Sequence, residues 1–183
     1  MKFKAFLNNI KCKIRGEVPT NTLVKNGMKI GRRFKRMQGC TLDISHCWLI
    51  SIGDYVTLAP GVRIIAHDAS TKEATGYTKI GKINIGNNVF IGAGSIVLPN
   101  VNIGDNCIIG AGSIVTKDIP SNYVAAGNPA KTICKTDDYI EKNKKYMEKS
   151  YKYDGSWTVR GGINDTKKKK MIEDLNGEIG YIE

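Results

Sequence analysis

The sequence predicts an all-β fold: a single-stranded parallel β-helix of about five coils, with a short helix before it and short helices after it. Three observations carry this expectation. An aliphatic residue recurs every six positions over six unbroken hexads, a small or β-branched residue recurs four positions after each, and Gly, Asn or Asp falls where a sharp corner is needed.

Read in sixes from Ile85, the chain runs IGNNVF, IGAGSI, VLPNVN, IGDNCI, IGAGSI, VTKDIP. Position one is Ile85, Ile91, Val97, Ile103, Ile109 and Val115; position five is Val89, Ser95, Val101, Cys107, Ser113 and Ile119. Upstream, IGDYVT and LAPGVR (52–63) keep the pattern, and KIGKIN (79–84) keeps position five. A period of six fits neither an amphipathic helix nor an alternating strand. It fits short flat strands joined by corners, with position one pointing inward, position five filling the corner, and glycine or Asn/Asp tolerating the positive φ of the turn. Three sixes close one triangular coil. Coils stacked at ~4.8 Å give a prism roughly 24 Å tall, and each coil buries its aliphatics only against its neighbours.

The phase breaks between residues 64 and 79, where IIAHDASTKEATGYT extrudes a polar loop (67–78) holding His67, one of two histidines in the chain. A loop thrown out of an otherwise uniform solenoid is where function concentrates. After Pro120 the stretch SNYVAAGNPAKTI reads as an irregular strap. Near the N-terminus Phe3, Phe6, Leu7, Ile10 and Ile14 fall at helical spacing among lysines, the mark of a short basic amphipathic helix. DDYIEKNKKYMEKSYKY reads as a polar helix opened by Asp137 and Asp138, and DTKKKKMIEDL as a second one. The expected organisation is therefore a basic arm (1–27), a β-helix domain (28–135) and a helical tail (136–183).

The 28 Lys+Arg and 17 Asp+Glu give +11, which on its own would point to a polyanionic partner. Residues 1–40 hold eleven basic residues against one acid, net +10, while residues 41–130 hold five against six. The repeat region is nearly neutral, and a nucleic-acid-binding domain is not expected. The arm is read first as a cap on the prism and second as a peripheral anchor to an anionic membrane. No apolar run is long enough to span a bilayer and the N-terminus lacks a secretory signal pattern, so the expected compartment is the cytoplasm. Cys12, Cys40, Cys47, Cys107 and Cys134 are odd in number and scattered, which indicates neither a disulfide framework nor a zinc site.

The hexads, together with LAPGVRIIAHDAST, IGKINIGNNVFIGAGSIV, IGAGSIVTKDIP and AAGNPAK, resemble the hexapeptide-repeat acyltransferase superfamily over roughly residues 28–135. Within it they resemble the branch of galactoside, maltose and capsule or lipopolysaccharide O-acetyltransferases. That resemblance implies a left-handed β-helix and a homotrimer with active sites between subunits. It implies acetyl-CoA as cosubstrate, a saccharide acceptor and a role in surface polysaccharide biosynthesis. It places the catalytic base on His67 and an oxyanion-binding N–H on Ala93. It places coenzyme A contacts on Phe90, Ala111, Thr116, Lys117 and Lys131, with Lys131 facing a phosphate, and it calls for no metal. Phe90 stands where tryptophan is frequent in the branch. Asp43 is the first candidate to orient His67, and Asp68 the second.

Other readings stay open on the residues alone. Asp43 equally fits a turn residue capping its own backbone. His46, beside Cys47 and Trp48, fits a packed polar residue near a subunit interface, or one touching acceptor. A metal site from His46, His67 and a cysteine lacks ligand spacing, and two histidines fall short of the three needed by carbonic anhydrases of this fold. A streptogramin acetyltransferase, an N-acetyltransferase of an amino sugar or serine, and a non-enzymatic scaffold are the alternatives in function.

Overall fold

In the computed structural model, which describes residues 16–183, the hexad period becomes short strands separated by corners. The amphipathic helix expected over residues 1–15, and Cys12, lie outside the described residues. Two compact units emerge, one ending at Thr136 and the other spanning Asp137–Glu183.

The first unit opens with helix α1 (Thr20–Lys25), whose Leu23 is fully buried. The chain then winds through β1 (Lys29–Ile30), β2 (Lys35–Arg36), β3 (Thr41–Leu42), β4 (Ile50–Ile52), β5 (Thr57–Leu58) and β6 (Arg63–Ile64). An extruded segment follows: β7 (His67–Asp68), a single turn of helix α2 (Lys72–Thr75) and β8 (Lys79–Ile80). Winding resumes with β9 (Ile83–Ile85), β10 (Phe90–Ile91), β11 (Ile96–Val97), β12 (Val101–Ile103), β13 (Ile108–Ile109) and β14 (Ile114–Val115), then β15 (Tyr123–Gly127) and β16 (Ala130–Lys135). Strands of successive coils stack in parallel, with β16 added antiparallel at one edge, giving three sheets ordered β1-β4-β9-β12, β2-β5-β10-β13-β15-β16 and β3-β6-β11-β14.

The core is the hexad pattern made physical. All six position-one residues and all six position-five residues of 85–119 are buried, none more than 4% exposed. Two of the latter are serines, and their hydroxyls are satisfied inside the stack: Ser95 Oγ and Ser113 Oγ both donate to the Gly110 carbonyl, at 2.9 and 2.6 Å. The position-two glycines have a different cause from the corner argument. A Cβ on Gly92 would stand 2.5 Å from the Ala111 nitrogen, so it is the backbone of the next coil that requires glycine there. Positive φ falls instead on corner residues such as Asn88, Asn106 and Gly94.

Register exposes where the regularity fails. Phe90 pairs with Ile108 and Ile96 with Ile114, each three hexads further along the chain. In the same sheet as Ile96, Arg63 is its partner in the coil before, and Thr41 is the partner of Arg63 in turn. Both of these steps exceed three hexads: the one from Arg63 to Ile96 carries fifteen surplus residues, and the one from Thr41 to Arg63 carries four. Val97 and Ile103 stand one hexad apart across the corner from the third sheet to the first. At the equivalent corners the chain takes a longer way, from Ile64 to Ile85 and from Leu42 to Ile52. Both insertions leave the prism at the same edge, in neighbouring coils.

The stretch after Pro120 is a correction to the expected irregular strap. β15 joins its sheet parallel to β13, and β16 folds back antiparallel to β15, so a hairpin closes this end of the prism. Within β15, Val124 and Ala125 are buried against β13, which an alternating-pattern reading overlooks because AAG carries little hydrophobic signal.

In the second unit α3 (Thr136–Lys149) has Asp137 and Asp138 in its first turn, where carboxylates favour the helix N-terminus. Helix α4 (Asp165–Asp174) is capped by Asn164, whose side chain accepts the Lys167 N–H at 2.9 Å. Its lysine run is ion-paired along the surface, Lys168 with Asp165 and Lys170 with Asp174. Strands β17 (Lys152–Tyr153) and β18 (Tyr181–Ile182) pair in parallel. None of the described helices is long and apolar enough to cross a membrane.

Candidate functional site

The two insertions bring together side chains that lie far apart in the chain. Asp43, 5% exposed, follows β3 and enters the shorter insertion. One carboxylate oxygen, Oδ1, accepts the His46 N–H at 3.0 Å. The other, Oδ2, accepts the Ala66 N–H at 2.9 Å and lies 2.5 Å from Nδ1 of His67. Asp43 is therefore both a turn residue and a partner of His67. Burial works against its charge, but the hydrogen bond from His67 and the two backbone N–H groups outweigh burial and hold the carboxyl below its ordinary value.

An ionised carboxylate only accepts hydrogen bonds, so the arrangement assigns the imidazole proton of His67 to Nδ1 and leaves Nε2 with a free lone pair. The His67 side chain is 39% exposed, buried on its Asp43 side and open to an incoming reactant. It sits on β7 at the neck of the longer insertion, where β7 pairs with β8. Asp68 is engaged elsewhere: it pairs with Lys79 at 2.6 Å across the neck, and that ammonium holds its carboxyl far below the usual range. Asp68 thus braces the loop, and Asp43 takes the place beside the histidine.

A groove of about 400 Å³ runs to His67 along Thr41–Ser45 and Arg63–Ile65. His46 lies half-buried beside it, with its ring centroid 5.5 Å from that of His67 and 5.5 Å from that of Trp48. Asp43, His46 and His67 offer ligand atoms within 4.8 Å of one another, the donor set of a divalent-cation site. A cation bridging Asp43 Oδ2 and His67 Nδ1 would have to replace the 2.5 Å contact between them.

Of the other site residues expected from sequence, Phe90 lies on β10, 45% exposed, and Lys131 lies exposed on β16. Ala93, Ala111, Thr116 and Lys117 are exposed on the corners after β10, β13 and β14. None of the six hydrogen-bonds to His67 or Asp43. The Ala93 carbonyl accepts the Gly112 N–H of the next coil at 2.8 Å, whereas its own N–H has no protein partner among the described residues. Among the described cysteines Cys40, Cys47 and Cys107 are buried, and burial pushes Cys40 and Cys107 above the ordinary thiol value.

The shorter insertion is not apparent from the sequence, where Trp48 stands only as a neighbour of His46. Its one signal is that Leu42 and Ile52 stand too far apart for the period.

Comparison with known proteins gives a consistent set. The family described as bacterial transferase hexapeptide (six repeats) matches residues 82–117, the coils free of insertions. A Staphylococcus aureus protein named CapG is 44% identical over 134 residues, covering 68% of this chain and 77% of the relative. The galactoside O-acetyltransferase of Escherichia coli K12 is 40% identical over 145 residues, covering 76% and 68%. A galactoside acetyltransferase solved in complex with coenzyme A superposes with a TM-score of 0.56 at 40% identity, covering 63% of this chain and 58% of that one.

Proposed function

The chain belongs to the hexapeptide-repeat acetyltransferases, whose solved members imply its left-handed β-helix, and on that footing we propose that it transfers acetyl from acetyl-CoA to a hydroxyl of a saccharide. The observation that carries the reading is the 2.5 Å contact of His67 Nδ1 with the buried Asp43 carboxylate.

In this reading Nε2 of His67 takes the proton from the acceptor hydroxyl as its oxygen attacks the thioester carbon. The C–S bond breaks after the tetrahedral stage, acetyl is left on the sugar oxygen, and the thiolate of coenzyme A leaves and is protonated. Asp43 fixes the tautomer and offsets the charge of the imidazolium that forms. The free N–H of Ala93 faces the developing oxyanion. Phe90, Ala111, Thr116 and Lys117 line the path of coenzyme A, and Lys131 meets a phosphate. No cysteine nucleophile and no metal enter the scheme. The working form is a homotrimer of prisms of about five coils with terminal helices, the sites lying between subunits. Its place is the cytoplasm, in assembly of a surface polysaccharide.

The test is acetyl-CoA turnover against a panel of saccharides, matched amino sugars, serine and a streptogramin. Transfer to saccharide hydroxyls supports the reading. Transfer confined to amines or to the antibiotic moves the chain to one of those classes, and no turnover of acetyl-CoA with any acceptor would falsify the enzymatic reading.

A further inference from the structure

Resting on the saccharide reading above, we propose that the shorter insertion is a sugar-binding platform: the acceptor lays the face of a pyranose ring on Trp48, with a sugar hydroxyl hydrogen-bonded to His46.

The argument starts from the exposure of Trp48. The residue is 56% exposed, which leaves an amphipathic indole open to contact. It is not a loose surface residue. The turn Cys47–Leu49 that carries it is nailed down by Cys47, fully buried, whose Sγ approaches the carbonyls of Leu23 and Asn26 at 3.6 and 3.5 Å. Behind it Gly27, at φ +101°, lies so close that a Cβ there would stand 2.9 Å from Trp48 Cβ. The segment after α1 thus buttresses the platform, and the indole is exposed on a fixed mount.

Its neighbours give the occupant. The ring of His46 links those of Trp48 and His67, its centroid 5.5 Å from each. One hexose ring is about as wide as that spacing. An acceptor whose hydroxyl meets His67 therefore brings a ring of the same saccharide over Trp48 within two spacings. The apolar C–H face of a pyranose stacks on an aromatic face, while its rim hydroxyls need polar partners. His46 supplies one. Its Nδ1 is enclosed without a hydrogen-bond partner, 3.9 Å from Asp43 Oδ1, and Nε2 is left as the nitrogen open to a ligand. A hydroxyl donates and accepts, so it suits either tautomer of that ring. Neither Trp48 nor His46 lines the groove along Thr41–Ser45 and Arg63–Ile65, which meets these rings only at His67.

The experiment compares the full chain with Trp48→Ala and Trp48→Phe, using maltose and lactose as acceptors. The expected result is an acceptor KM raised about tenfold or more in Trp48→Ala, with partial recovery in Trp48→Phe and an unchanged KM for acetyl-CoA. A second readout is independent of turnover. In a Trp157→Phe background, which leaves Trp48 as the one indole, saccharide without acetyl-CoA shifts the fluorescence. An unchanged acceptor KM together with an unresponsive indole overturns the platform while leaving the acetyltransferase reading intact. A rise of both KM values together marks Trp48 as structural and overturns it too. A wild-type chain that acetylates saccharides in neither test nor panel removes the reading on which the platform rests, and the platform with it.

Discussion

Residues 82–117 and the edge that carries the two insertions are wound on the same three-sheet prism, yet they do opposite things with it. In the regular coils every equivalent residue recurs after three hexads, each position-one and position-five side chain is buried, and the exposed corners repeat one another. Asn84 donates to Asn102 and Asn102 to Asp118, so even the surface is a ladder. At the interrupted edge the coils throw out four and fifteen surplus residues, and what leaves the prism is largely exposed, with Asp43 and Cys47 buried at its base. The lesson is that repetition makes a rigid mount and cannot make a unique site. Uniqueness comes from breaking the period twice at one edge, in adjacent coils, so that Asp43 and His67 are brought within a hydrogen bond.

If that division is right, substitutions on the two sides should separate catalysis from stability. The largest effect is expected at His67. His67→Ala should lower kcat by ~10²- to 10⁴-fold, the usual contribution of a general base, while the lost hydrogen bond to the buried Asp43 costs only about 1–3 kcal/mol and the chain stays folded. Steady-state kinetics and a thermal melt on the same preparation decide it. On the other side, Ile109→Ala removes a fully buried position-one side chain and should destabilise by about 2–5 kcal/mol, read by denaturant unfolding, while the folded fraction keeps its kcat.

Asp43→Asn sharpens the comparison because it touches both properties. It removes a buried carboxylate that accepts three hydrogen bonds, at a cost of about 1–3 kcal/mol, and it leaves His67 without its anionic partner. The carboxyl is held below its unfolded value of ~3.9, so its contribution is present above that pH and is lost as pH falls through the lower folded value. The stability gap between wild type and Asp43→Asn should therefore close as pH falls below ~3.9, through the lowered folded value. A gap that stays open at the acid end of that range contradicts the assignment. The smallest effect belongs to the exposed ladder: Asn102→Ala should cost no more than about 1 kcal/mol and leave kinetics untouched.

Much of the prism was legible in the sequence because burial follows a period, and a period is visible in one chain. Ile91 or Ser113 could be placed inside by counting. The longer insertion was legible for the same reason, as a loss of phase that isolates His67. The shorter one shows only as the overlong spacing from Leu42 to Ile52, and it is easily missed because its few extra residues run into the apolar CWLISI and look like continued strand. Asp43 could be ranked ahead of Asp68, but its contact could not be derived, since that depends on which coil lies beside His67. The hairpin of β15 and β16 was missed because alanine and glycine carry almost no pattern even where backbone pairing is continuous.

The central claim is that Asp43 and His67 act as one unit. It is tested most directly by a double-mutant cycle on kcat/KM for acetyl transfer, with His67→Ala, Asp43→Asn and the pair together. The account predicts that the double variant is no slower than His67→Ala alone, because Asp43 works only through the imidazole. Losses that multiply, with the double variant slower by the product of the two single effects, would contradict it.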